Sequence, residues 1–320
     1  MNGIMADDGS FYYSIQGTAE GTSYNIIYQD AEDRDFQPEI DALLAGFEKS
    51  LSVYDKDSLI SCINRNETVD VDEYFCTVFT QAKKISDLTE GAFDISAEPL
   101  FRAWGFSAEE KNPPTQENIE ALKQYIGMDK VSIENRKIIK EHPNIALNVN
   151  AIAKGYSTDI IADFLDSKDS RNYLVEIGGE IRAKGTNFSG EPWRIGVDRP
   201  SESNLIPGQD LQLVLHITDR GIATSGNYRQ FYIEDGQKIT HTINPVTGYP
   251  TRHNLLSTTV VAANALTADA FATAFMVAGM DKALEWIEKY TGLEAVFICD
   301  EGGDYKVYYT PGLEDKISQE

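Results

Sequence analysis

Tyr173-Leu174-Val175-Glu176-Ile177-Gly178-Gly179-Glu180-Ile181-Arg182-Ala183-Lys184-Gly185 reads as two short strands meeting at a Gly-Gly pair. Two glycines permit the tight turn that joins such strands. Strand-like segments recur downstream at 193–197 (WRIGV), 211–217 (LQLVLHI), 230–243 (QFYIEDGQKITHTI, with an Asp235-Gly236 turn) and 255–263 (LLSTTVVAA). Two helices follow, 267–279 (TADAFATAFMVAG) and 280–290 (MDKALEWIEKY), then a last hairpin over 294–309. Upstream, Tyr24, Ile26 and Tyr28 alternate as an early strand, and Ile40, Leu43, Leu44, Phe47 and Leu51 recur at helical spacing. A second helix carries Phe75, Val78, Phe79, Ala82 and Ile85 and stops near Gly91. A third runs through Ile119, Leu122 and Ile126, after the breaker Asn112-Pro113-Pro114. A hairpin at 130–142, a strand at 146–149 (ALNV) and a helix through Ile160, Ile161, Phe164 and Leu165 complete the series. Strands therefore come in runs mixed with helices, without the strict alternation of a doubly wound parallel sheet. The expectation is an α+β protein of mixed, largely antiparallel sheets packed with helices. No repeat or low-complexity linker divides it. A single domain is expected over 11–312, with a flexible segment at 1–10 and a polar tail at 313–320.

Charge narrows the partners. Among 320 residues, 28 basic side chains face 51 acidic ones, a formal charge of -23 that repels phosphate backbones and anionic lipids. No nucleic-acid partner is expected. A small anionic ligand needs local help from backbone N–H groups, a lysine or a bound cation. Cys62, Cys76 and Cys299 show neither a disulfide framework nor zinc-ligand spacing. No apolar run approaches the roughly 20 residues that span a bilayer, and the first residues do not read as a signal peptide.

Several short stretches carry chemistry. Asp269 and Thr273 lie four apart on one predicted helix, so carboxylate and hydroxyl can converge on a hard cation such as magnesium. The same spacing suits an Asp that complements the helix dipole and a Thr that bonds the carbonyl one turn back. The surrounding Ala265, Ala268, Ala270, Ala272 and Ala274 would let other backbone approach closely. Residues 148–156 (NVNAIAKGY) turn into a helix N-terminus, where free N–H groups and Lys154 favour an anion; a solvated lysine is the bland alternative. Gly178-Gly179 and Thr224-Ser225-Gly226-Asn227 are small-residue turns able to expose backbone amides, although tight turns need glycine anyway. Asp94, after Gly91-Ala92-Phe93, can accept hydrogen bonds from a ligand or simply cap its turn. His241 opens a Pro/Gly turn (HTINPVTG) as a candidate acid or base, or as a structural strand histidine. No Ser-His-Asp triad, P-loop or GxGxxG is present.

In this order, these motifs resemble the FAD:protein FMN transferases of the ApbE family. The resemblance runs from Gly21 to about Tyr290, through SVYDKDSLISCIN, GAFDISAEPLFRAWGF, NVNAIAKGYSTD, YLVEIGGEIRAKG, WRIGVDRP, ATSGNYRQFY, HTINPVTGYP and TADAFATAFMVAG. It implies an ApbE-like flavin transferase fold, FAD as substrate and Mg2+ as cofactor. The implied partner is a redox protein whose SGAT-like motif presents the acceptor threonine. It also implies metal ligands at Asp269, Thr273 and the Ala151 carbonyl, and flavin contacts at Tyr54, Ala92, Phe93, Asp94, Asn148, Lys154 and Ile243. His241 and Asp269 are the two candidates for the base. The chain departs from the family where Asn148 and Asn244 replace a usual Asp, and where Glu20 stands at a frequent Met. Gram-negative members are lipoproteins on the periplasmic face of the inner membrane. This sequence shows no lipobox cysteine, so that placement, like any membrane tether, rests on the resemblance. Two other activities fit the same residues: a magnesium-dependent FAD pyrophosphatase that yields FMN and AMP, and a non-catalytic FAD-binding protein.

Overall fold

Nine strands join into one sheet whose spatial order repeats the order of the chain: Gly3–Met5, Phe11–Ala19, Thr22–Asp30, Tyr173–Ile177, Glu180–Lys184, Arg220–Gly226, Leu255–Ala262, Glu294–Glu301 and Asp304–Tyr309. Every neighbouring pair is antiparallel. Neighbours of this kind can be joined by simple turns, so the helices and smaller sheets are excursions between successive strands. The computed structural model describes residues 3–5, 11–106, 113–201, 203–204, 206, 208–228, 231–234 and 237–318.

Side chains alternate across the sheet and build a core on each face. Tyr13, Ile15, Tyr24, Ile26, Val175 and Ile177 pack against helices Gln37–Leu51 and Ala153–Ser167. On the opposite face Tyr12, Ile222, Val261, Val296 and Ile298 meet Trp193, Ile195, Leu213 and Leu215 of a three-stranded sheet. The largest core surrounds helix Ala265–Ala278, which is buried nearly all round. Such a helix belongs inside a protein, not on its surface. Its small residues make this possible. A Cβ added to Gly221 of the neighbouring strand would lie 2.1 Å from Ala265 N, so the helix end and the strand touch backbone to backbone.

Several expectations change. Residues 11–19 form a strand that alternation does not disclose, because the consecutive Tyr12 and Tyr13 are buried on opposite faces. The ALNV segment is not a strand. Ala146 makes one isolated bridge, and Asn64 then takes both backbone groups of Leu147 at 2.8 Å. Thr224, Ser225 and Gly226 end a strand rather than form a turn. Gly3–Met5, expected in a flexible segment, pairs with Phe11–Tyr13, and Ile317–Ser318, expected in a polar tail, pairs with Val214–Leu215. The Asp235-Gly236 turn and Asn112 lie outside the described residues, although the strands flanking that turn do pair.

Candidate functional site

Helices Ala153–Ser167 and Ala265–Ala278 cross in close contact near their starts. A Cβ on Gly155 would lie 2.4 Å from the Ala265 carbonyl oxygen and 2.8 Å from Asp269 Cβ, so glycine is what lets the helices meet. The Gly155 N–H donates to Asp269 Oδ2 at 3.0 Å. Helix Ala153–Ser167 starts after Ala151, so the Gly155 N–H is one of the first-turn donors with no partner inside its own helix, and the Asp269 carboxylate supplies one. One turn beyond Asp269, the Thr273 hydroxyl lies 3.5 Å from Ser225 Oγ on the adjoining strand. The structure thus brings Asp269 against the first turn of helix Ala153–Ser167, which also carries Lys154; Ala151 lies just before that helix, and Thr273 one turn along its own.

Charge is concentrated there and little water reaches it. Asp269 is 5 % exposed and Glu180 4 %. Lys154 Nζ sits 2.6 Å from Glu180 Oε2. Burial pushes the Asp269 carboxyl above the usual carboxylate range, against the pull of Lys154 and the Gly155 N–H. Glu180 is likewise raised by burial, with Lys154 opposing. Glu20 is pushed up to about 7, chiefly by burial, while Ser157 and Lys154 favour its charge. Burial works against the Lys154 charge, but Glu180, Asp269 and Glu20 outweigh it and raise its pKa. Three acids therefore share one lysine, with Asp269 and Glu180 buried and Glu20 and Lys154 partly open to solvent. That imbalance suits an added cation.

The remaining predicted residues form two further groups. Asn148 donates from Nδ2 to Glu98 Oε2 at 2.7 Å, and its backbone N–H bonds the Ile95 carbonyl, which joins residues 148–152 to the loop after Asp94. Tyr54 is 84 % exposed, and its hydroxyl accepts from Asn150 Nδ2 at 3.0 Å. Asp94 turns toward its own loop, accepting from both the backbone and the hydroxyl of Ser96, and burial raises its pKa. Phe93 and Ala92 are both buried in the largest core. Ile243 is also buried, with Leu100, Trp104 and Ile119. His241 stands edge-on to Phe106, ring centroids 6.3 Å apart, in this third group. The loop it opens is docked by Trp104 Nε1, which donates to the Gly248 carbonyl at 2.9 Å.

Sequence reasoning missed Glu98, Asp159 and Glu180, and assigned no role to Glu20. Asp159 had a usable signal: it lies four residues after Gly155, on the same helix face. Its carboxylate accepts from the N–H groups of Ala265 and Leu266 at 2.9 and 2.8 Å, and burial pushes its pKa up to about 6. Glu180 follows the Gly-Gly turn directly. Glu98, in the first turn of the short helix Glu98–Ala103, had no periodicity to mark it. Among the described residues no three His, Cys, Asp or Glu side chains gather as a metal cage, so a cation here would rely on one carboxylate with carbonyl and hydroxyl oxygens.

A sequence model of the ApbE family matches residues 20–297. The chain belongs to the ApbE family. Among ApbE-family relatives, the FAD:protein FMN transferase of Haemophilus influenzae is 36 % identical over 291 residues, 86 % of this chain and 83 % of that protein. The solved structure of the flavin transferase ApbE from Vibrio cholerae superposes with a TM-score of 0.85 at 34 % identity, covering 96 % of this chain and 99 % of that one. The apo form of the flavinyl transferase ApbE from Pseudomonas stutzeri gives 0.86 at 29 % identity, covering 96 % and 97 %. The ApbE fold is therefore that of this chain, and its largely antiparallel architecture agrees with the reading of the sequence.

Proposed function

We propose that this chain transfers FMN from FAD to a threonine or serine of a partner redox protein and releases AMP. The observation that supports this reading is the junction where the buried Asp269 carboxylate accepts from the Gly155 N–H, beside Lys154 and its partner Glu180. The Ala151 carbonyl, just before that helix, and the Thr273 hydroxyl, one turn beyond Asp269, are read as its companion donors. Such hard oxygen donors fit Mg2+, which keeps its other positions for water and phosphate. When bound, the ion would offset pyrophosphate charge and polarise its oxygens. Asp269, Thr273 and the Ala151 carbonyl would hold it.

The chain's own residues then position the reaction. Lys154, seated by Glu180, supplies a cation to the pyrophosphate. Tyr54, Asn148 and the 92–94 loop accommodate the flavin side, with the backbone of Ile243 behind it. The acceptor hydroxyl oxygen forms a bond to the FMN phosphorus. The bond from that phosphorus to the bridging oxygen breaks, and AMP leaves with that oxygen. The hydroxyl proton passes to a base, for which Asp269 and His241 are the two residues proposed. A single unit over 11–312 carries all these groups. The acceptor is taken to present an SGAT-like threonine, and by family the enzyme works on the periplasmic face of the inner membrane under a lipid anchor. No helix among the described residues is long and apolar enough to cross a membrane.

The test incubates the protein with FAD, Mg2+ and an SGAT-bearing acceptor while AMP, free FMN and acceptor mass are followed. AMP with a flavinylated acceptor is the expected result. AMP with only free FMN identifies a pyrophosphatase, and tight FAD retention without AMP identifies a binding protein.

A further inference from the structure

Asp159 does more than terminate a helix. Helices Ala153–Ser167 and Ala265–Ala278 exchange carboxylates: Asp269 of the second accepts from Gly155 N–H in the first turn of the first, and Asp159 of the first accepts from Ala265 and Leu266 N–H in the first turn of the second. Residues 155 and 159 are one turn apart, as are 265 and 269, so the two contacts form a closed rectangle across helices that run antiparallel here. Both Asp159 oxygens are used, at 2.9 and 2.8 Å. The helix end cannot slide toward the sheet, because Gly221 already touches it, nor toward the first helix, because Gly155 does. Asn264 caps the same end separately, accepting from Thr267 N–H at 2.9 Å.

We propose that Asp159 is a positioning residue for the cation site: it fixes the start of helix Ala265–Ala278 against helix Ala153–Ser167, and with it the place of Asp269 at the first turn of that helix. This rests on the reading of Asp269 as a metal ligand. Groups that orient metal ligands in this way typically change metal affinity by about 10–100-fold when removed.

The experiment measures Mn2+ binding to the FAD-loaded protein by electron paramagnetic resonance, together with the Mg2+ dependence of turnover and thermal unfolding without metal. Asp159→Asn keeps the shape but turns an N–H donor toward an N–H donor. We expect about 10-fold weaker Mn2+ binding, a matching rise in the Mg2+ needed for half-maximal rate, and a near-parental rate at saturating Mg2+. Asn264→Ala, which removes the ordinary cap at the same helix end, should lower the unfolding temperature and leave Mn2+ affinity within twofold. If Asp159→Asn does not fold, Asp159→Glu, which keeps the charge but lengthens the arm, should show the same loss of affinity. An Asp159 variant that unfolds earlier yet binds Mn2+ like the parent would reduce Asp159 to a cap and overturn the proposal. Asp269→Ala run in parallel separates the two ideas. Unchanged Mn2+ binding in that variant removes the metal reading itself, whereas loss there with none in Asp159→Asn removes only the clamp.

Discussion

Lys154→Met deletes the one cation that Glu20, Glu180 and Asp269 share, while keeping most of the side-chain stem. Removing one partner of a buried ion pair costs about 3–5 kcal/mol when the remaining charge has no relief. Two features lower that figure here. The Lys154 side chain is 32 % exposed, so solvent already screens the 2.6 Å contact. Glu180 can also take up a proton, since burial already raises its pKa. A group whose pKa is higher folded than unfolded binds more protons in the folded state, so its stabilisation falls as pH rises through that interval. Glu180 is raised to about 8 beside Lys154; loss of the lysine raises it further, so the two proteins diverge above that pH. At about pH 9.5 the variant should therefore be some 2–3 kcal/mol less stable than the parent. At about pH 5.5, where the carboxyl is neutral in both, the deficit should be about 1 kcal/mol, the worth of one hydrogen bond. Glu20, raised to about 7 with Lys154 favouring its charge, is raised further by the same substitution and adds to the deficit above that pH. Urea unfolding of the metal-free proteins, followed by tryptophan fluorescence across this pH range, measures it. A deficit of the same size at both ends would show that Lys154 and Glu180 do not share a desolvated site.

Asp269→Ala should abolish metal-dependent AMP release and leave the fold intact; orphaning the Gly155 N–H costs about 1–3 kcal/mol, readable as a lower denaturation midpoint. Gly155→Ala drives a methyl into the Ala265 carbonyl 2.4 Å away. Overpacking of this kind costs about 1–3 kcal/mol, and FMN transfer should fall even at temperatures where circular dichroism shows folded protein. Asn148→Asp sets a second carboxylate against the buried Glu98, which Asn148 now serves as donor at 2.7 Å. Weaker FAD binding is expected by flavin fluorescence, and Glu98→Gln in the same chain should restore it; no rescue would break the link between these two positions.

Much of this was legible in the residues, and the gaps have physical causes. A period-2 segment such as Tyr173–Ile177 shows itself because the strand buries one face more than the other. Phe11–Ala19 does not, since Tyr12 and Tyr13 are both interior. ALNV has the composition of a strand, but Asn64, more than 80 positions away, claims its backbone. At the site, spacing puts Asp269 and Thr273 on one face, yet it cannot show that the carboxylate reaches a different helix. The Lys154–Glu180 pair spans 26 positions and the Asp159–Ala265 bond 106, distances over which local pattern carries no signal.

The sheet that grows in chain order has a kinetic consequence. Its tight hairpins are local and can form as soon as their strands are made, whereas the pairing of Tyr28 with Tyr173 and the Gly155–Asp269 contact each close a loop of more than 100 positions. Contacts of such range are won late, after the entropy of the intervening chain has been lost. A nascent chain that has not yet emitted residue 273 can build the early hairpins, yet it lacks the second of the two helices that meet at Gly155 and Asp269. That junction is then among the last things to mature, and the cation site proposed there could form only when the fold is nearly complete.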